Sequence, residues 1–107
     1  MTESEIQRAI LVYLGTRMDL LTGRTNTGAA LSKSGLVRFG VKGMADIHCV
    51  QKPTGRLIAI EVKTATGRQS NDQKKYQRAI TSYGGLYVLA RSVADVEKAL
   101  GTETRYE

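Results

Sequence analysis

Gly43-Met44-Ala45-Asp46 and, after fourteen intervening residues, Glu61-Val62-Lys63 form the stretch whose reading decides the fold. Between them lie Ile47-His48-Cys49-Val50-Gln51, the turn-forming Lys52-Pro53-Thr54-Gly55, and a second apolar run. Pro and Gly within four residues mark a turn between extended segments. The pattern predicts a hairpin of one strand over Ala45 to Gln51 and another over Leu57 to Lys63. Side chains two apart on a strand share a face, so Glu61 and Lys63 point the same way and the hairpin brings Asp46 beside them. Ile58, Ile60 and Val62 make one apolar face, and Leu57 and Ala59 the other, which predicts a strand covered on both sides. Charge enters only at its C-terminal end. Two carboxylates and an ammonium at one sheet end can hold a divalent metal and orient an attacking water. The plainer reading is a strand-end salt bridge, a weakly stabilising arrangement.

Outward from the hairpin, Thr2 or Ser4 caps a first helix, with Glu3 and Glu5 near its positive end. Ile6, Ala9, Ile10, Tyr13 and Leu14 recur on it at helical spacing, and Gly15 is a stop. Thr16 to Gly43 reads as an irregular basic segment with a short strand around Arg24 to Ala30. It carries Arg17, Arg24, Lys33, Arg38 and Lys42, and such segments in small domains are functional or mobile. C-terminal to the hairpin, Thr64 to Arg68 is a loop. Ser70-Asn71-Asp72-Gln73 has capping-box spacing and opens a helix bearing Tyr76, Ile80 and Tyr83, which Gly84-Gly85 ends. Leu86 to Ala90 is a strand. Ser92 caps a last helix with Val93, Val96 and Leu100 inward, ended by Gly101. Strand, helix, strand between Leu57 and Ala90 implies a right-handed crossover and a parallel pair.

The length of 107 residues fits one domain with one modest core, predicted as a single unit over 1–107. Hydrophobic content of 41% against 24% charged residues is globular rather than disordered. The fold class is α/β, a central mixed sheet flanked by helices. Sixteen Lys and Arg against ten Asp and Glu give a net charge of +6 and an isoelectric point near 9.7, which favours a polyanionic partner. Cys49 is the single cysteine, so an intramolecular disulfide is excluded and a reducing, cytoplasmic setting is expected. It reads as a small buried hydrophobe. Thr2-Glu3-Ser4-Glu5 is no apolar leader, and no apolar run reaches membrane-spanning length, so no membrane partner is expected.

Several further residues bear on chemistry. The Val62 carbonyl, between Glu61 and Lys63, is a third oxygen for a metal. Lys63 is placed to orient a water or to neutralise charge developing on a phosphate. Lys33, Arg38, Lys42, Arg68 and Lys74 are candidate phosphate contacts, with Asn26, Gly28 and Ser34 shaping the loop that enters the site. Gly28 to Ser34 lacks the Gly-Lys-Ser of a phosphate loop, having Ser32-Lys33-Ser34, so a nucleotide cofactor is excluded. His48 shares a face with Asp46 and reads as a packing or hydrogen-bonding residue.

Asp, a hairpin turn, then Glu-x-Lys resembles the core motif of the PD-(D/E)XK nuclease superfamily. Gly43-Met44-Ala45-Asp46, Glu61-Val62-Lys63-Thr64, Gly67-Arg68-Gln69-Ser70, Gln73 and Gly84-Gly85 in this order resemble the VRR-NUC (virus-type replication–repair nuclease) family, its small stand-alone phage and bacterial members above all. The likeness runs from Glu5 to about Val96. Ala45 stands where the superfamily has its name-giving Pro.

The resemblance implies a restriction-endonuclease-like fold and Mg²⁺- or Mn²⁺-dependent hydrolysis of DNA phosphodiesters. Asp46, Glu61, Lys63 and Gln73 are then catalytic, and Glu5, Asp46, Glu61 and Val62 hold the metal. Glu5 matches the family's first-helix acid, while its position alone makes it a helix-dipole residue. Gln73 matches the glutamine that supports the lysine and the water, while Ser70 makes it equally a capping-box residue. One side chain is not expected to serve both. Small family members look like homodimers acting on branched DNA such as Holliday junctions, with Tyr83, Tyr87 and the last helix as candidate interface positions. The alternative is a non-catalytic nucleic-acid-binding module that retains the fold, and a third reading is a small basic structural protein.

Overall fold

The computed structural model describes residues 1–25, 29–32, 35–38 and 41–102, the two middle stretches in backbone only. Helix α1 spans Glu3–Gly15. Strands β1 (Leu20–Arg24), β2 (Ala29–Ser32), β3 (Gly35–Arg38), β4 (Ile47–Gln51) and β5 (Arg56–Val62) follow. Helix α2 (Asn71–Ser82), strand β6 (Leu86–Ala90) and helix α3 (Val93–Leu100) complete the order. Four strands form one mixed sheet in the order β1-β4-β5-β6, and β2 and β3 form a separate antiparallel pair. The β4–β5 pair is antiparallel with Ile47 opposite Ile60 and Cys49 opposite Ile58. The β5–β6 pair is parallel with Ile60 beside Val88, as the intervening helix requires.

Alternation along β5 assigns its two faces. Ile58, Ile60 and Val62 join Ile47, Cys49, Val88 and Ala90 beneath Ile6, Ile10 and Leu14 of α1 and Val96 of α3. Ala59 and Leu57 point the other way, into a smaller cluster with Ala45, Tyr87 and, from α2, Tyr76 and Ile80. The small Ala59 and Ala45 on that face let α2 lie close. The strand is thus covered on both sides, and Cys49 is a fully buried hydrophobe. Tyr83, placed with Tyr76 and Ile80 by helical spacing, falls at the C-cap of α2 and is 90% exposed.

Thr16 to Gly43 departs from the irregular segment the composition suggests. It contains three strands, and β1 is a full edge of the main sheet, pairing antiparallel with β4 from Leu20 opposite Gln51 to Arg24 opposite Ile47. The single strand expected around Arg24 to Ala30 is instead the end of β1 and the start of β2, with 26–28 outside the described residues. Arg17 is also not a surface cation. Its guanidinium is buried and grips both carboxylate oxygens of Asp19 at 2.9 Å, and it reaches the Gly101 carbonyl at 2.8 Å. Among the described residues no helix is long and apolar enough to cross a membrane.

Candidate active site

The β4–β5 register, continued by one residue, sets Asp46 opposite Glu61. Asp46 lies just before β4, where the strand backbone ends, and its side chain supplies the missing acceptor. Oδ2 accepts the Val62 N–H at 2.8 Å. The Asp46 carbonyl accepts the Thr25 N–H at 2.8 Å, which ties it to the end of β1. Both carboxylates lie on the α2 side of the sheet, at the end where β5 leaves it.

Glu61 is only 2% exposed. Its Oε1 accepts from Gln73 Nε2 at 3.0 Å and faces Lys63 Nζ at 3.9 Å. Its Oε2 is buried with no hydrogen-bond partner. Asp46 beside it offers only acceptors while ionised, so this oxygen requires a proton or a cation. Without a cation, the Glu61 carboxyl is raised to about 8, by burial first and by the neighbouring Asp46 next, with Lys63 opposing.

Gln73 closes the capping box and at the same time reaches the Glu61 carboxylate. Its Oε1 accepts the Ser70 N–H at 2.8 Å, closing the capping box, while its Nε2 reaches Glu61. An amide has an acceptor and two donors on separate atoms, so one side chain caps the helix with its oxygen and reaches the site with its nitrogen. Gly43 makes this approach possible. Its φ is +79°, and a Cβ there would fall on the Asp72 main chain and within 2.8 Å of the Gln73 nitrogen. The loop leading to Asp46 therefore rests directly on the first turn of α2.

Glu5 is not brought to the pair. It is exposed and its Oε1 accepts the Thr2 N–H at 3.1 Å in the α1 capping box. Helical geometry gives the reason: at about 100° per residue, Glu5 points away from the Ile10 and Leu14 line, whereas Glu3 lies on it. Glu3 is the first-helix acid whose charge reaches Glu61. The buried stripe of α1, legible in the sequence, was the signal that separates the two acids. Among the described residues no group of three or more His, Cys, Asp or Glu side chains stands ready to hold a metal. The assembled unit is a pair of carboxylates.

Other neighbours fix the surroundings. His48 is engaged at both ring nitrogens, Nε2 with Tyr76 OH at 2.7 Å and Nδ1 with Thr25 Oγ1, which leaves no lone pair for a metal. Burial lowers its pKa. Arg91, which sequence reasoning missed, donates from Nη1 to the carbonyls of Thr64 and of Gly67, the latter at 2.7 Å. It pins the loop that follows Lys63. Gln69 Nε2 donates to Gln77 Oε1 at 3.0 Å and Tyr87 OH at 3.2 Å, bracing the same loop against α2 and β6. Gln77 takes part in that brace. No local pattern announces these contacts, since each partner comes from a distant part of the chain.

Of the candidate phosphate contacts, Arg68 and Lys74 are exposed beside α2. Lys42 is exposed and lies 3.8 Å from Asp72. Arg38 ends β3, and Lys33, with Asn26, Gly28 and Ser34, lies outside the described residues.

Two carboxylates with an orphaned buried oxygen fit a hard dication such as Mg²⁺, which takes one or two protein carboxylates and keeps most of its waters. Against protein-family models, curated proteins and solved structures, the chain has no match.

Proposed function

We propose that this chain is a Mg²⁺- or Mn²⁺-dependent deoxyribonuclease of restriction-endonuclease-like fold, of the VRR-NUC type its motifs resemble. The observation that carries the reading is the buried Glu61 Oε2, unpartnered beside a second carboxylate, with Lys63 and Gln73 on the other oxygen of the same group. A stability-driven sheet end has no reason to bury a carboxylate oxygen without a donor. The mixed sheet with helices on both faces agrees with that fold.

Asp46 and Glu61 would hold the dication, with the Val62 carbonyl as a further oxygen. When bound, it polarises the scissile phosphate and acidifies a water. Lys63 is 14% exposed at its side chain and fixed near Glu61, so its ammonium donates to the attacking water or to a phosphate oxygen. Gln73 holds Glu61 so that one carboxylate oxygen faces Asp46. The pinned loop after Lys63 keeps this geometry rigid. In-line attack would leave a 5′-phosphate, as the resemblance implies. With the domain occupied by the catalytic frame, contacts run to backbone and shape rather than to bases, which suits branched DNA and a homodimer presenting two sites to a symmetric junction.

The test is cleavage of plasmid and four-way-junction DNA in Mg²⁺ or Mn²⁺. Wild type is expected to cut, and Asp46→Ala and Lys63→Ala to lose about 10²-fold or more, the scale of removing one preorganised transition-state partner. Wild type that binds DNA but never cuts identifies the non-catalytic binding module instead. Variants that cut as well as wild type sink the site assignment.

A further inference from the structure

A second feature lies on the opposite side of the sheet from α2. A cleft of about 180 Å³ runs between α1 and the end of β1, lined by Ser4, Gln7, Arg8, Leu11 and Arg24. Alternation along β1 explains how Arg24 reaches it. Leu20 packs on the α1-side core, and Thr22 Oγ1 lies 3.4 Å from the buried Cys49 Sγ, so Arg24 continues that face. Arg8 approaches from α1, two turns beyond the cap. The cleft therefore joins two guanidinium groups and two neutral polar side chains from separate elements.

Its two guanidinium groups form no ion pair among the described residues, although the Glu5 carboxylate feels the Arg8 charge. Arg17, Lys42 and Lys63 each lie within 4 Å of a carboxylate, whereas among the described residues neither Arg8 nor Arg24 does. The acid nearest in sequence to Arg8, Glu5, is held by Thr2 and does not line the cleft. The position is equally specific. Arg24 pairs with Ile47, and the next residue, Thr25, donates its N–H to the Asp46 carbonyl. Arg24 thus stands at the same end of the sheet as the carboxylate pair, on its other face.

We infer that this cleft is a binding site for a backbone phosphate of the nucleic acid, gripped by Arg8 and Arg24 with Ser4 and Gln7 donating beside them. The inference rests on the nuclease reading and extends it to the path of the substrate. Planar guanidinium forks match phosphate oxygens in a way that a lone ammonium does not, and contacts of this kind position a strand without reading its sequence. Arg68 and Lys74 lie on the α2 side and Arg8 and Arg24 on the α1 side, so the strand crosses the sheet end over Asp46 and Glu61 from one basic edge to the other.

The test is the salt dependence of affinity for a short DNA duplex and a four-way junction, without divalent metal so that nothing is cut. Each lost phosphate contact lowers the slope of log K against log salt by about 0.9. Arg8→Ala/Arg24→Ala is expected to lower it by about one to two and to weaken binding about tenfold or more at low salt, with Arg8→Lys/Arg24→Lys keeping the slope but losing part of the affinity. Lys52→Ala removes one charge at the far end of β4 and is expected to leave the slope unchanged. A double alanine variant that matches wild type overturns the cleft, as does a Lys52→Ala loss as large as that of the double variant, or a wild type with no DNA affinity. Inorganic phosphate that displaces DNA equally from wild type and the double variant also overturns it. Wild type that binds through both arginines yet cuts nothing with Mg²⁺ or Mn²⁺ retains the cleft and removes the nuclease reading, so the two failures are distinct.

Discussion

Glu61 concentrates the conflict between stability and chemistry in one side chain. Its carboxyl is raised from 4.5 to about 8, chiefly by burial, so the folded protein holds a proton that the unfolded chain releases near 4.5. The stability this contributes is full below about 4.5 and is lost as pH rises to about 8, at about 1.4 kcal/mol per unit. Glu61→Gln cannot titrate, so its melting temperature is expected to lack this fall and to exceed that of wild type at pH 9. Thermal melts at pH 5, 7 and 9 without divalent metal check it; parallel pH dependences for the two proteins would contradict it. A dication must displace the same proton, so Mn²⁺ affinity by calorimetry is expected to rise up to tenfold per pH unit toward pH 8, with proton release. Residue identity alone could nominate Glu61, but not its state. The sequence likewise left Glu5 and Gln73 each with two roles. Gln73 both caps its helix and touches Glu61 because its two polar atoms act separately, and Glu5 fills only the cap because its helical phase turns it away.

At the scale of elements, the site depends on how closely a loop approaches a helix. Gly43 lets the chain before Asp46 lie on the first turn of α2, the turn that carries Gln73. Gly43→Ala meets both a left-handed φ and the Asp72 main chain, so it must push the loop from the helix. It is expected to cost about 1–3 kcal/mol and, more tellingly, to reduce Mn²⁺ affinity, because Asp46 and Gln73 move apart. A calorimetric titration unchanged from wild type would rule this out. Ser70→Ala removes the other half of the capping box at about 1 kcal/mol and serves as the comparison, since it weakens the helix without touching the loop. The local signals for α2, β6 and α3 were strong in the sequence: Ser caps, helical spacing and terminal glycines bound them closely. The edge strand β1 was not legible, because Leu20-Leu21-Thr22-Gly23-Arg24 has little alternation and only its pairing with β4 makes it a strand.

Across the whole molecule, the end of the sheet remote from the carboxylate pair is fastened by Arg17 and Asp19. Arg17 joins Asp19, the Tyr13 hydroxyl at 3.1 Å and the Gly101 carbonyl, and Gln51 Nε2 adds a 3.0 Å bond to Asp19, so α1, β4 and the end of α3 meet there. The Arg17 hydrogen bonds hold the Asp19 carboxyl down to about 2. Its contribution is present above about pH 4 and lost as pH falls toward 2. Arg17→Met leaves a buried, unpaired carboxylate and is expected to cost about 3–5 kcal/mol, read as a lower denaturation midpoint at pH 7; a change under 1 kcal/mol would show the pair to be dispensable. The sequence by itself determined the α/β class, the hairpin, the parallel pair across α2 and the carriers of charge at one sheet end, because periodicity and turn residues act over a few positions. Only the tertiary structure decided that Arg17 is buried, that β1 completes the sheet and that Glu61 is left with an oxygen no protein group satisfies. Those outcomes depend on contacts between residues far apart in the chain, where register and burial, rather than local preference, set the energy.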